Sequence, residues 1–111
     1  MNDIPVDIAV LNELRAIMAD EFNLLINVFI SDSEQRIMML EKAIAERYAE
    51  ALRGAAHSFK GSSLNISAAR LTEFCRQLEF MGRDNNLNGV EAVFADARDE
   101  FEVLRRYLST L

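Results

Sequence analysis

Apolar residues recur along this chain at intervals of three and four, with no strictly alternating stretch, so it reads as helix from end to end. Asp7 is placed to cap a short first helix running to about Ala19, with Ile8, Leu11, Leu14, Ile17 and Met18 on one side. A longer second helix opens at Asp20 and Glu21 and runs to about Glu46, along the stripe Phe22, Leu25, Ile26, Phe29, Ser33, Ile37, Leu40 and Ile44. A third, from about Tyr48 to Asn65, buries Leu52, Ala55, Ala56, Phe59 and Ser63, and its stripe continues to Ile66. Ser67 is a candidate N-cap for a fourth helix, which carries Leu71, Phe74, Cys75, Leu78 and Met81 and is closed by Gly82. Residues 83–87 form the clearest loop. Asn88 with Glu91 three residues later has the form of a capping box for the last helix, which buries Val90, Val93, Phe94, Ala97, Phe101, Leu104 and Leu108.

Long amphipathic helices on short connections bury their stripes together as antiparallel neighbours. The expected fold is all-α: an antiparallel up-and-down four-helix bundle, with the short first helix laid across one end. Residues 1–111 read as one domain with no internal repeat. Leu24 and Val28 lie beside the second stripe, and with Ile17, Met18 and Phe22 they make the N-terminal region more apolar than one core face requires. That surplus is either a docking patch or the underside of a helix covering the bundle end.

Composition narrows the function classes. Net charge is −6, with no run of lysines or arginines, which disfavours nucleic acid and anionic membrane as partners. No stretch nears the roughly 20 apolar residues that span a bilayer, and the N-terminus has no signal-peptide pattern, so a soluble cytoplasmic protein is expected. One cysteine, Cys75, reads as a small buried apolar residue. With one histidine there is no recognisable zinc set, and no metal site is expected.

That histidine, His57, sits in Ala55-Ala56-His57-Ser58-Phe59-Lys60-Gly61-Ser62-Ser63. On a helix, His57, Lys60 and Gly61 share a face, bordered by Gly54 and Arg53 one turn back. Glycine in a helix interior costs about 1 kcal/mol relative to alanine. Gly54 and Gly61 therefore leave room either for a partner to reach His57 or for a neighbouring helix to pack closely. His57 lies off the buried stripe, which makes a purely structural role less fitting.

The run His57-Ser58-Phe59-Lys60-Gly61-Ser62-Ser63, followed by Leu64-Asn65-Ile66-Ser67-Ala68, resembles the signature of histidine-containing phosphotransfer domains. Leu71, Cys75, Leu78 and Glu79 extend the likeness, which covers nearly the whole chain. The resemblance implies a four-helix bundle in which His57 accepts a phosphoryl group from a hybrid sensor kinase's receiver aspartate and passes it to an aspartate of a response regulator. Lys60 would lie beside the phosphoryl group, Gly61 would admit the receiver's loops, and Glu79 would hydrogen-bond the imidazole. Ser67 departs from the pattern, since many members have glycine there, and this bears on the turn geometry.

These residue types suit the chemistry. Unperturbed imidazole titrates at about pH 6.5, so a neutral ring offers one nitrogen lone pair near neutrality. If Glu79 accepts a hydrogen bond from Nδ1, the tautomer leaves Nε2 as the phosphorylated atom; otherwise Glu79 forms an exposed helical ion pair with Arg76 or Arg83. Lys60, aided by Arg53, is the charge available for the phosphoryl oxygens. The chain has no glycine-rich phosphate loop or acidic metal cluster, so no cofactor of its own is expected; Mg²⁺ should come with the receiver partner, and the chain should not catalyse transfer alone. Docking is expected on Arg53, Gly54, Leu64, Ile17, Met18 and Phe22, through a small transient interface suited to a monomer. The alternative is a phosphorylation-independent helical adaptor, for which the trio His57, Lys60 and Gly61 would serve no purpose. A metal- or haem-binding bundle would need several ligands on facing helices.

Overall fold

The computed structural model describes residues 4–111. These form a short helix α1 (Ile8–Met18), a 3₁₀ turn (Ala19–Glu21) and four longer helices: α2 (Phe22–Ala45), α3 (Ala49–Asn65), α4 (Ala69–Arg83) and α5 (Val90–Leu108). There is no strand among the described residues. Each helix from α2 onward packs against the next, and α2 also meets α5, which closes the four into a bundle. The most extensive helix–helix contact is between α3 and α4.

The apolar stripes meet along the axis. Phe29, Phe59 and Phe101, from α2, α3 and α5, are buried and stack edge to tilt, with centroids 6.4 Å apart for Phe29 and Phe101 and 6.3 Å for Phe59 and Phe101. Burying one such ring stabilises by roughly 1.5–3 kcal/mol, so this trio is a large part of what holds three helices to one axis. Leu40, Leu52, Leu71, Leu78, Val90 and Leu104 fill the layers around it and are fully buried.

Three of the helix ends are built alike. After α2, Tyr48 N–H donates to Ala43 O and Arg47 N–H to Ile44 O; after α3, Ala68 N–H donates to Ser63 O and Ser67 N–H to Leu64 O; after α4, Asn86 N–H donates to Met81 O and Asn85 N–H to Gly82 O. This is the Schellman arrangement, which needs a left-handed residue just past the cap. Arg47, Ser67 and Asn85 supply it at φ of 52°, 62° and 52°. The connections 46–48 and 66–68 are thus tight reversals that force antiparallel neighbours.

These turns correct three expectations from the sequence. Ser67 does not cap α4: it takes the left-handed position that ends α3, where a glycine would meet no steric cost, and Ala68 stands at the N-cap. Gly82 does not end α4, which continues to Arg83. The capping box is absent because Gly89, at φ 77°, occupies the N-cap of α5, while Glu91 pairs with Arg47 at 2.8 Å across to the α2–α3 turn. Asn88 N–H donates to the Asn86 side chain instead.

At the N-terminus, the Asp7 carboxylate accepts from the backbone N–H of Ala9 and Val10 and caps α1 as its position requires. Asp7 N–H donates to Ser67 O at 3.1 Å, which ties the start of α1 to the α3–α4 turn. Val6 and Leu11 are buried there. At the other end of α1, Ala19 holds φ 49° and ψ −114°, a sterically poor conformation for a residue with a Cβ.

Candidate functional site

The α3 register places Leu52, Ala56, Phe59 and Ser63 inward, so His57, Lys60 and Gly61 emerge along the side facing α4 and solvent. From α4, Glu79 reaches into the gap between His57 and Lys60. Its Oε2 lies 2.8 Å from His57 Nδ1 and its Oε1 lies 2.6 Å from Lys60 Nζ. The carboxylate is largely covered, with a side chain 13% exposed, as is Lys60 at 24%, whereas the imidazole stands out at 64%.

Burial pushes the Glu79 carboxyl up, but the hydrogen bonds from Lys60 and His57, with their charges, more than reverse it and hold the group below its ordinary value. An ionised carboxylate only accepts hydrogen bonds, so it is Nδ1 that carries the proton. Among the described residues nothing is hydrogen-bonded to Nε2. A neutral ring with Nδ1–H fixed from behind presents its lone pair outward. The exposed-ion-pair reading of Glu79 is excluded, because Arg76 pairs with Glu73 and Arg83 with Asp84. Those two arginines also flank the Phe80 ring, at 5.0 and 4.4 Å from its centroid.

The glycines settle the question that spacing left open. A Cβ built on Gly54 or Gly61 would meet nothing within 4 Å, so neither serves close helix packing, and both leave open space beside His57. Leu64 and Ile17 are exposed, the latter at 81%, together with Leu24 and Val28. Met18 is only partly exposed and packs against the core. Phe22 does not belong to a docking surface: it is buried in the core under the Arg15 guanidinium, which lies 5.1 Å from its ring centroid, because the α2 stripe continues to the first residue of that helix. Arg53 is held by Glu50, with Nη2 2.6 Å from the carboxylate, and is thereby drawn toward the start of α3.

Two features escaped the sequence reading. Arg36 of α2 donates from Nε to Ser58 Oγ at 2.7 Å, bracing the residue next to His57 from the side opposite Glu79. Gly82 faces the α3 backbone at Ala49 and Arg53. Neither has a local signal, since both depend on which helix lies alongside. Cys75 is buried, and desolvation pushes its thiol up to about 12, so it is an inert core residue at neutral pH. Among the described residues no three or more His, Cys, Asp or Glu side chains are grouped to hold a metal ion, and no helix is long and apolar enough to cross a membrane.

The pattern of the Hpt domain family matches residues 24–110. The chain belongs to that family. It is also similar, over 98% of its own length and 95% of the other's, to the crystal structure of histidine-containing phosphotransfer protein B from Pseudomonas aeruginosa PAO1, with 35% identity and a TM-score of 0.94. No curated protein matches it. Membership in the Hpt family brings a histidine phosphotransfer role in a phosphorelay, in which the protein is a phosphocarrier.

Proposed function

We propose that His57 is the carrier residue, that Nε2 is the atom phosphorylated, and that the group arrives from the receiver aspartate of a hybrid sensor kinase and leaves to an aspartate of a response regulator. The observation that carries this reading is the pairing of a ring 64% exposed with an Nδ1 held at 2.8 Å by a covered carboxylate. In the forward step the P–O bond of the aspartyl phosphate breaks and a P–N bond forms at Nε2, releasing the aspartate carboxylate. The ring gains positive charge as it attacks, and Glu79 lies against the nitrogen that shares that charge. Lys60, seated on the same carboxylate, faces the phosphoryl oxygens, and the bare backbone at Gly61 and Gly54 lets the receiver's loops come close.

Transfer of this kind rests on in-line placement and charge neutralisation. The chain supplies a nucleophile, one nearby ammonium and an open approach, and on this reading the receiver supplies the acceptor aspartate and the Mg²⁺ that neutralises phosphoryl charge. The chain then has no catalysis of its own and acts as a cytoplasmic monomer. Ile17, Leu64, Gly54 and the edge of Met18, with Arg53, form the docking face, extended by Leu24 and Val28. The same reading makes α1 a short extra helix laid across the bundle end, supported by the Asp7 to Ser67 bond and the burial of Val6 and Leu11.

The test is to mix the protein with a receiver domain carrying a labelled phosphoryl group and follow the label. The wild-type chain takes up acid-labile, base-stable label, and the His57→Gln variant takes up none. Label uptake by His57→Gln at the wild-type rate ends the proposal.

A further inference from the structure

Gly82 lies on the α4 face turned to α3, and a Cβ built there would stand 2.7 Å from Ala49 O, 2.7 Å from Arg53 N and 3.0 Å from Arg53 Cα. All three are backbone atoms of a helix, so no side chain can swing aside to make room. Gly82 is one turn along α4 from Glu79, and Arg53 is one turn along α3 from His57; the helices run antiparallel, so both steps go the same way. The contact of Gly82 with Arg53 and the contact of Glu79 with His57 and Lys60 are successive rungs of one seam.

We infer that Gly82 is a positioning residue for phosphotransfer: by letting α4 lie on the α3 backbone, it sets the separation at which one Glu79 carboxylate reaches both His57 Nδ1 and Lys60 Nζ. Both oxygens of the Glu79 carboxylate are already engaged, at 2.8 and 2.6 Å, so a helix that moves away cannot keep both contacts at those lengths. A methyl group at 82 forces the helices apart by several tenths of an ångström, which lengthens the His57 bond first, because that ring is free to turn on its exposed side.

This inference rests on the reading of His57 as the phosphorylated residue for its kinetic part only. The decisive measurement is nitrogen NMR of the His57 ring in the unphosphorylated chain, where the single histidine gives one pair of ring signals. In the wild type the Nδ1–H tautomer dominates; in Gly82→Ala the two tautomers become mixed, and uptake of label from a phosphorylated receiver slows by at least about tenfold, as for loss of an outer-shell partner. Ile66→Val, which trims the core in the turn just past the end of α3, lowers stability with the ring signals unchanged. Gly82→Ala and Glu79→Ala combine to no more than the larger single effect on the rate, since both act through one hydrogen bond. Wild-type ring signals in Gly82→Ala, or additive rate losses, overturn the inference. Should Gly82→Ala not fold, it is repeated in a Ser33→Ala background, which stabilises by removing a fully buried hydroxyl that has no hydrogen-bond partner among the described residues, and failure to fold there too assigns Gly82 to the fold alone and overturns the inference as well. If instead the ring signals shift as expected but no variant or wild-type chain takes up label, the carrier reading is what fails.

Discussion

Gly54 and Gly61 stand in open space on the outward side of α3, while Gly82, across the seam on α4, is pressed against the α3 backbone. The residue type is the same and the missing side chain serves opposite ends. On the outward side it leaves room for something that is not part of the chain; in the seam it leaves room for the chain itself. On the proposed carrier reading, the contrast separates two demands, an accessible nucleophile and a fixed tautomer, each met on a different side of the His57 ring.

The largest expected effect breaks the open side. Gly61→Leu builds a branched side chain outward from a Cβ position that nothing approaches within 4 Å, so the helix seam is not what it obstructs, while an approaching receiver is. Phosphotransfer should fall on the order of a hundredfold, the scale of a misplaced reacting pair, with no drop in the thermal midpoint. A lowered midpoint with normal transfer would mean the space is not open. Next, Gly82→Ala should destabilise by about 1–3 kcal/mol in urea unfolding, the range for overpacking, although helix propensity alone favours alanine by about 1 kcal/mol. Gly54→Ala has the opposite sign: with no neighbour to strike, propensity acts unopposed and stability should rise by about 0.5–1 kcal/mol. If Gly54→Ala and Gly82→Ala shift stability in the same direction, the contrast between the two sides is wrong.

Much of the architecture was legible because it is local. The three- and four-residue spacing that gives Phe29, Phe59 and Phe101 their inward positions is a property of each helix by itself, and so is the Asp7 cap. The site was legible at His57 and Lys60, which share a face of one helix. Glu79, on a separate helix, came from the family likeness, and spacing on α4 alone left an ion pair with Arg76 or Arg83 open. What the pattern misplaced depends on neighbours or on backbone sign. Gly82 near the end of a stripe looks like a helix stop until α3 is laid beside it. Ser67 ahead of a helix looks like an N-cap until its left-handed φ shows it finishing the helix before. Phe22 looks like surplus apolar surface until α1 and Arg15 lie over it.

The smallest expected effect sharpens the seam through its charge. Glu79 and Glu100 are almost equally covered, with side chains 13% and 12% exposed, yet they shift in opposite directions. For Glu100 burial prevails over Arg70, its one ion-pair partner among the described residues, 3.3 Å away on α4, and the carboxyl is raised; for Glu79 two donors prevail over burial and it is lowered. A carboxyl lowered in the folded state contributes stability that is complete above its unfolded value of about 4.3 and is lost as pH falls through the folded value. A raised carboxyl does the reverse, contributing below the unfolded value and losing that contribution as pH rises through the folded one. Urea stability measured across the acid range should therefore fall less steeply below about pH 4.3 in Glu79→Gln than in the wild type. In Glu100→Gln, a decline above that pH should be removed instead. Equal slopes for Glu79→Gln and wild type would show that Lys60 and His57 do not hold the carboxylate in solution, and a carboxylate so loosely held could not keep the proton on Nδ1.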